Sequence, residues 1–146
     1  MEDKKANQSN MSRMIAEMKN QFPGATISKS AYTHLIPSMT CAIKDRHVLA
    51  AAVGRADVIV TNNVKDFPAS SVDKYNIKVQ TPDRFVLHIL EHDPQQFFRW
   101  YHINCDERTK RARSRGLPSV TPKSLARFFE SGPLPKTGKR ILELLK

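Results

Sequence analysis

The stretch from Asp45 to Phe67 constrains this chain more than any other. His47-Val48-Leu49-Ala50-Ala51-Ala52-Val53 is rich in helix formers and is closed by Gly54, and Asp57-Val58-Ile59-Val60-Thr61 follows almost at once as an apolar run of strand length. Helix and strand joined by so short a connection run antiparallel, which brings the start of the helix and the end of the strand to one edge. A second strand is predicted at Ile77-Lys78-Val79-Gln80. After it, Thr81-Pro82-Asp83 supplies a cap, a proline at the first helical position and an acid in the first turn for a helix over Arg84–Glu91. Strand, connection, strand and helix in this rhythm predict an α/β fold with a small parallel sheet flanked by helices.

The flanks are less regular. Residues 1–9 are polar, and a helix is predicted from Ser9 or Asn10 with Met11, Met14, Ile15, Met18 and Phe22 at helical spacing, stopping at Pro23-Gly24. That stripe reads as core or as a partner contact. Segment 25–44 has a short β-like stretch at Ala25–Ser28, a turn-forming Pro37 and no clear period. Asp93-Pro94 breaks the composition. It divides an α/β domain over residues 1–93 from a basic helical appendage over 94–146, with helices at Gln95–Arg115, from Thr121-Pro122 to about Ser131, and around Thr137–Leu145. A chain of 146 residues suits one domain plus such an appendage.

Charge is concentrated in the appendage. The net charge is +10, and residues 94–146 carry twelve Lys and Arg against four Asp and Glu, whereas residues 1–93 carry twelve against ten. Such a field attracts polyanions, a nucleic-acid phosphate backbone first among them, and a solubilising face or a patch for an acidic protein is the alternative. Within Arg108-Thr109-Lys110-Arg111-Ala112-Arg113-Ser114-Arg115 the cations Arg108, Lys110, Arg111, Arg113 and Arg115 are the candidate RNA contacts, and the preceding Phe97, Phe98, Trp100 and Tyr101 read as structural rings. Cys41 and Cys105 form no CxxC pair, no apolar run approaches the ~18 residues of a membrane span, and the polar N-terminus has no signal-like apolar region. A cytoplasmic protein with no membrane partner is expected.

In parallel α/β folds ligands sit outside the carboxyl ends of the strands. The loop Asn62–Phe67 puts Thr61, Asn63 and Asp66 at that rim, and Asp45, at the start of the antiparallel helix, belongs to the same edge. Carboxylate, amide and hydroxyl oxygens in this mixture suit Mg²⁺, which would activate water and shield phosphate charge in phosphodiester cleavage. Singly, each residue also has an ordinary structural role: Asp45 as a helix N-cap, Asp66 in an Asx turn, Asn63 in a loop. His47 reads as a helix residue without catalytic duty. His88 and His92, four apart on one helix, lack the HExxH frame of a zinc site.

The joint pattern resembles a known family. Asp45-Arg46-His47-Val48-Leu49-Ala50-Ala51-Ala52 followed by Ala56-Asp57-Val58-Ile59-Val60-Thr61-Asn62-Asn63-Val64-Lys65-Asp66-Phe67-Pro68 is similar to PIN-domain proteins of the VapC-like toxin type. The order around it agrees too: Phe22-Pro23 and Leu35-Ile36-Pro37 before, Ile77 and Thr81-Pro82-Asp83-Arg84-Phe85 after. The resemblance implies a PIN-like fold and an Mg²⁺- or Mn²⁺-dependent endoribonuclease, with Asp45 and Asp66 as metal-binding acids, Asn63 at the position after the strand end, and Thr61 assisting through its hydroxyl. It also implies an antitoxin partner. Family members begin with a strand bearing an Asp and a helix bearing a Glu, and this sequence is expected to start after both. A truncated sheet with an open edge would pair with a second copy or with a complementing N-terminal chain. The same residues also fit a catalytically lapsed module that binds RNA or an antitoxin.

Overall fold

The computed structural model describes Ser12 and residues 15–146, which divide into two compact units between Arg55 and Ala56. The first unit begins with a helix, α1, over residues 15–21. Its apolar positions Ile15, Met18 and Phe22 are 44%, 57% and 60% exposed, so this stripe is not core within the chain. Met11 and Met14 lie outside the described residues.

The β-like stretch at Ala25–Ser28 forms no strand. Thr26 and Ser28 are extended, but short 3₁₀ turns flank them at Pro23–Ala25 and Lys29–Ala31, and the Ala31 N–H is satisfied locally by the Ser28 carbonyl at 3.0 Å. Isolated extended residues without a ladder partner do not propagate a sheet. Further 3₁₀ turns at Thr33–Ser38 and Ile43–Asp45 lead into α2, Arg46–Ala52, which buries Leu49, Ala50 and Ala52 and packs on the Thr33–Ser38 turn. Met39 and Cys41 in the same unit are also buried. Past α2, Gly54 adopts φ +69, a left-handed conformation that a side chain would oppose, and the helix ends there as the sequence implies.

The second unit holds the sheet. Strands β1 (Val58–Val60) and β2 (Lys78–Gln80) pair in parallel with Ile59 opposite Val79, and hydrogen bonds from the Lys78 N–H to the Asp57 carbonyl (2.8 Å) and from the Thr61 N–H to the Gln80 carbonyl (2.9 Å) extend the ladder at both ends. A 3₁₀ turn at Val64–Asp66 and the short helix α3, Ala69–Val72, connect the strands, and Ile59, Phe67, Val72 and Ile77 are buried.

Four helices follow, and each opens on a proline at its first position: α4 (Pro82–His92), α5 (Pro94–Arg113), α6 (Pro122–Glu130) and α7 (Pro135–Leu144). Side-chain oxygens cap the first three. Thr81 accepts from the Arg84 N–H and Asp93 from the Gln96 N–H, while Thr121 and Ser124 form a reciprocal capping box. Leu90, Tyr101, Cys105, Leu125, Ala126 and Ile141 form the shared core of these helices. The Tyr101 hydroxyl donates to the Pro122 carbonyl at 2.8 Å, which satisfies its polar end inside that core. Since α7 packs on both α4 and α6, the helices beyond residue 93 belong to the same compact unit as the strands. No helix among the described residues is long and apolar enough to cross a membrane.

Candidate functional site

The end of β1 is built from one local contact. The Thr61 hydroxyl oxygen accepts from the Asn63 N–H at 3.0 Å, which curls the chain sharply after the strand. The bond uses a lone pair of Thr61 and leaves its hydroxyl proton for another acceptor. Asn63 itself is exposed, while Thr61 and Asp66 are half-buried. Asp66 closes the 3₁₀ turn that follows, its N–H donating to the Asn63 carbonyl at 3.0 Å. Thus Thr61, Asn63 and Asp66 share one short turn at the carboxyl end of the strand, as chain direction requires.

Asp45 belongs to the first unit and is described there. It occupies the N-cap position of α2, yet its side chain makes no capping hydrogen bond. Its Oδ2 is buried with no hydrogen-bond donor among the described residues, and its nearest cation is Lys44 Nζ at 3.8 Å. The ordinary capping role therefore does not account for this carboxylate. His47 is exposed on the same helix.

Gln80 is a residue that sequence reasoning passed over. At the end of β2, its carbonyl bonds to Thr61 while its side-chain Oε1 is buried without a hydrogen-bond partner among the described residues. It lines a cavity of about 660 Å³ running along β2, with Val64, Phe67, Thr81, Arg84 and Lys136 also in the wall. The sequence carried one signal for it: a glutamine at the last position of a strand, where an apolar residue would serve packing alone.

The two histidines of α4 stack on each other, with ring centroids 6.2 Å apart. Among the described residues no group of three or more His, Cys, Asp or Glu side chains stands close enough together to hold a metal ion.

The basic run splits by helical phase. Arg108, Arg111 and Arg115 line one concavity of about 370 Å³ together with Asn104, Glu107 and Leu117. Lys110 pairs with Glu107 at 2.7 Å, and Arg113 donates to the Ser119 hydroxyl at 3.2 Å. The Lys110 hydrogen bond and charge hold the Glu107 carboxyl below its ordinary range. All five cations are exposed. Of the four rings before them, Phe97, Phe98 and Tyr101 pack together, with Phe97 stacked on Tyr101 at 5.9 Å, whereas Trp100 is 61% exposed.

A curated protein of Mycobacterium tuberculosis (strain ATCC 25618 / H37Rv), named "Putative ribonuclease VapC50", is 52% identical to this chain over 61 residues. The match covers 41% of this chain and 36% of that protein, so the chain spans about a third of the relative's length. No protein-family model matches the chain. No solved structure matches it either.

Proposed function

We propose that this chain is a PIN-like protein of the VapC toxin type and acts as a metal-dependent endoribonuclease on single-stranded RNA. The observation that carries the reading is Asp45, a half-buried carboxylate at a helix start that does not cap its helix and whose Oδ2 is buried without a hydrogen-bond donor among the described residues. Identity of 52% to a protein named as a ribonuclease supports it.

In this reading residues 1–93 carry the catalytic α/β part and residues 94–146 the RNA-binding appendage. Asp45 and Asp66 hold Mg²⁺ or Mn²⁺, and the donor set fits such an ion in kind, since carboxylate, amide and hydroxyl oxygens are the ligands a hard cation prefers. When bound, the ion would lower the pKa of attacking water and shield the phosphodiester. Asn63 and Thr61 orient water or phosphate through the side-chain amide and the remaining hydroxyl proton. Two carboxylates bind a hard cation weakly, so the working site needs further acids, and an antitoxin is the expected protein partner.

The test is cleavage of an end-labelled single-stranded RNA with Mg²⁺ or Mn²⁺, beside an EDTA control and Asp45→Ala and Asp66→Ala. Cleavage that needs metal and falls at least a hundredfold in either variant is the expected result, about the loss that follows removal of one electrostatic contributor to a phosphoryl transition state. Metal-dependent cleavage indifferent to both substitutions would remove these residues from the site. Absence of cleavage with RNA binding retained would favour the binding-module reading.

A further inference from the structure

We propose that one face of α5, with the turn that follows it, is a docking strip for single-stranded RNA, on which a base stacks against Trp100 and the following phosphates lie along Arg108, Arg111 and Arg115. It deepens the reading of RNA as this protein's partner and rests on it.

The strip follows from helical phase. Trp100, Asn104, Arg108 and Arg111 are spaced four, four and three residues apart, the spacing that keeps side chains on one helical face, and Arg115, in the turn just past the end of α5, lines the same concavity as Arg108 and Arg111. Two concavities lie along that face. The first, about 390 Å³, is lined by Trp100 and by apolar side chains such as Ile89, Phe97 and Phe129. The second holds the three arginines. Asn104 and Arg108 line both, so the two adjoin.

The chemistry changes along the strip in the order a nucleotide chain requires. Trp100 is 61% exposed beside packed neighbours, and an exposed indole at the mouth of an apolar hollow is a stacking platform open to any base. Arg108 Nε is fixed by Asn104 Oδ1 at 2.8 Å, which orients the guanidinium and leaves its terminal nitrogens for a phosphate. Of the two acids along the strip, Glu107 is paired by Lys110 at 2.7 Å and Asp93, in the apolar hollow, accepts from the Gln96 N–H as the cap of α5, so the three cations face the ligand where the phosphates lie. Complementarity to a polyanion is therefore local to this face. A duplex cannot use it in the same way, because its bases are stacked internally and unavailable to Trp100.

Trp100 is the sole tryptophan of the chain, so its emission reports this position alone. The full-length protein would be titrated with oligouridylate, with a duplex RNA of equal charge and with poly-glutamate, following tryptophan emission and, in parallel, the anisotropy of a labelled oligonucleotide. Quenching by the single strand and not by the duplex is expected. Trp100→Leu should weaken binding about tenfold, in line with the loss of one base–aromatic stack. Each of Arg108→Ala, Arg111→Ala and Arg115→Ala should lower the slope of log affinity against log salt by roughly 0.7, whereas Lys139→Ala, one charge removed from α7, should leave that slope unchanged.

RNA binding with unquenched emission and full affinity in Trp100→Leu would overturn the strip while leaving RNA as the partner. Equal quenching by poly-glutamate would also overturn it, in favour of an acidic protein. Absence of any RNA binding would remove both the strip and the reading it rests on. Quenching and binding without metal-dependent cleavage would uphold the strip and reject the nuclease.

Discussion

Asp83 sits in the first turn of α4, yet its carboxylate serves the start of α7. Its oxygens accept from the Lys136 N–H (3.0 Å), the Thr137 N–H (2.9 Å) and the Thr137 hydroxyl (2.9 Å), so a helix that has no cap of its own receives one from 53 residues away. Burial acts to raise the Asp83 pKa, but the Thr137 and Lys136 N–H groups, the Thr137 hydroxyl and the Lys136 charge outweigh it and hold the carboxyl below its ordinary value of 3.8. Because the folded pKa is the lower one, the unfolded chain binds more protons through this window and stability rises with pH across it. The contribution of Asp83 is complete above the ordinary carboxylate range and is lost as pH falls through the depressed value. Asp83→Ala should cost about 1–2 kcal/mol at neutral pH, the worth of a helix cap, and the deficit should shrink in acid; urea midpoints of both proteins across pH 2–7 measure this, and a deficit constant with pH would refute the linkage. Beside it, Gly138 has no room for a side chain, since a Cβ would overlap the Glu130 backbone nitrogen and lie 2.7 Å from the Ala126 carbonyl oxygen. Gly138→Ala raises helix propensity by nearly 1 kcal/mol, but backbone atoms cannot rotate away, so a net loss of about 2–3 kcal/mol is expected from the same denaturation measurement.

The elements that the sequence made legible are those whose ends carry their own chemistry. The helix starts at Thr81, Asp93 and Thr121 could be read because cap, proline and first-turn residues stand together, and all three caps form. The Thr121 cap is tested most directly: Thr121→Ala removes one half of the capping box and should lower stability by about 1 kcal/mol, whereas Thr121→Ser should restore most of it, as urea midpoints would show. The β1 position was legible because a continuous apolar run leaves little choice, and the β2 position from the alternation Ile77-Lys78-Val79-Gln80, although each strand proves short. Segment 25–44 was not legible, because its 3₁₀ turns are stabilised by contacts such as the packing of Thr33–Ser38 on α2 rather than by local periodicity. At the site, chain direction put Thr61, Asn63 and Asp66 on one turn, but it could not show that the Asp45 side chain declines its own cap, which depends on a side-chain torsion, nor that Gln80 turns an amide oxygen inward. The basic run was visible as composition, whereas its division into the Arg108–Arg111–Arg115 face and the Lys110 and Arg113 side contacts needed the helix phase.

At the scale of the molecule the two units carry cores of unequal strength. Among the described residues the first buries Met39, Cys41, Leu49, Ala50 and Ala52, of which three are small, while the second buries Ile59, Phe67, Val72, Ile77, Leu90, Tyr101, Leu125 and Ile141 among others. Stabilisation scales with apolar area removed from water, roughly 25 cal/mol per Å², so the first unit has much less to oppose the entropy of its chain. Each unit happens to contain one free, buried thiol: Cys41 in the first and Cys105 in the second. Burial pushes the pKa of both thiols up, with the nearby Asp45 and Asp106 carboxylates adding to it, so neither is a reactive thiolate in the folded protein. Unfolding restores both to about 8.5 and to solvent, which makes alkylation at pH 8 a separate reporter for each core. In a urea series with brief iodoacetamide pulses and peptide mass analysis, Cys41 should be modified at a lower urea concentration than Cys105. Coincident midpoints would mean that the chain unfolds in one cooperative step, with the smaller core held by the larger. Because Asp45 belongs to the weaker unit and Thr61, Asn63 and Asp66 to the stronger, separate midpoints carry a functional corollary. Any activity that needs all four residues should disappear with Cys41 protection, at urea concentrations where Cys105 remains protected.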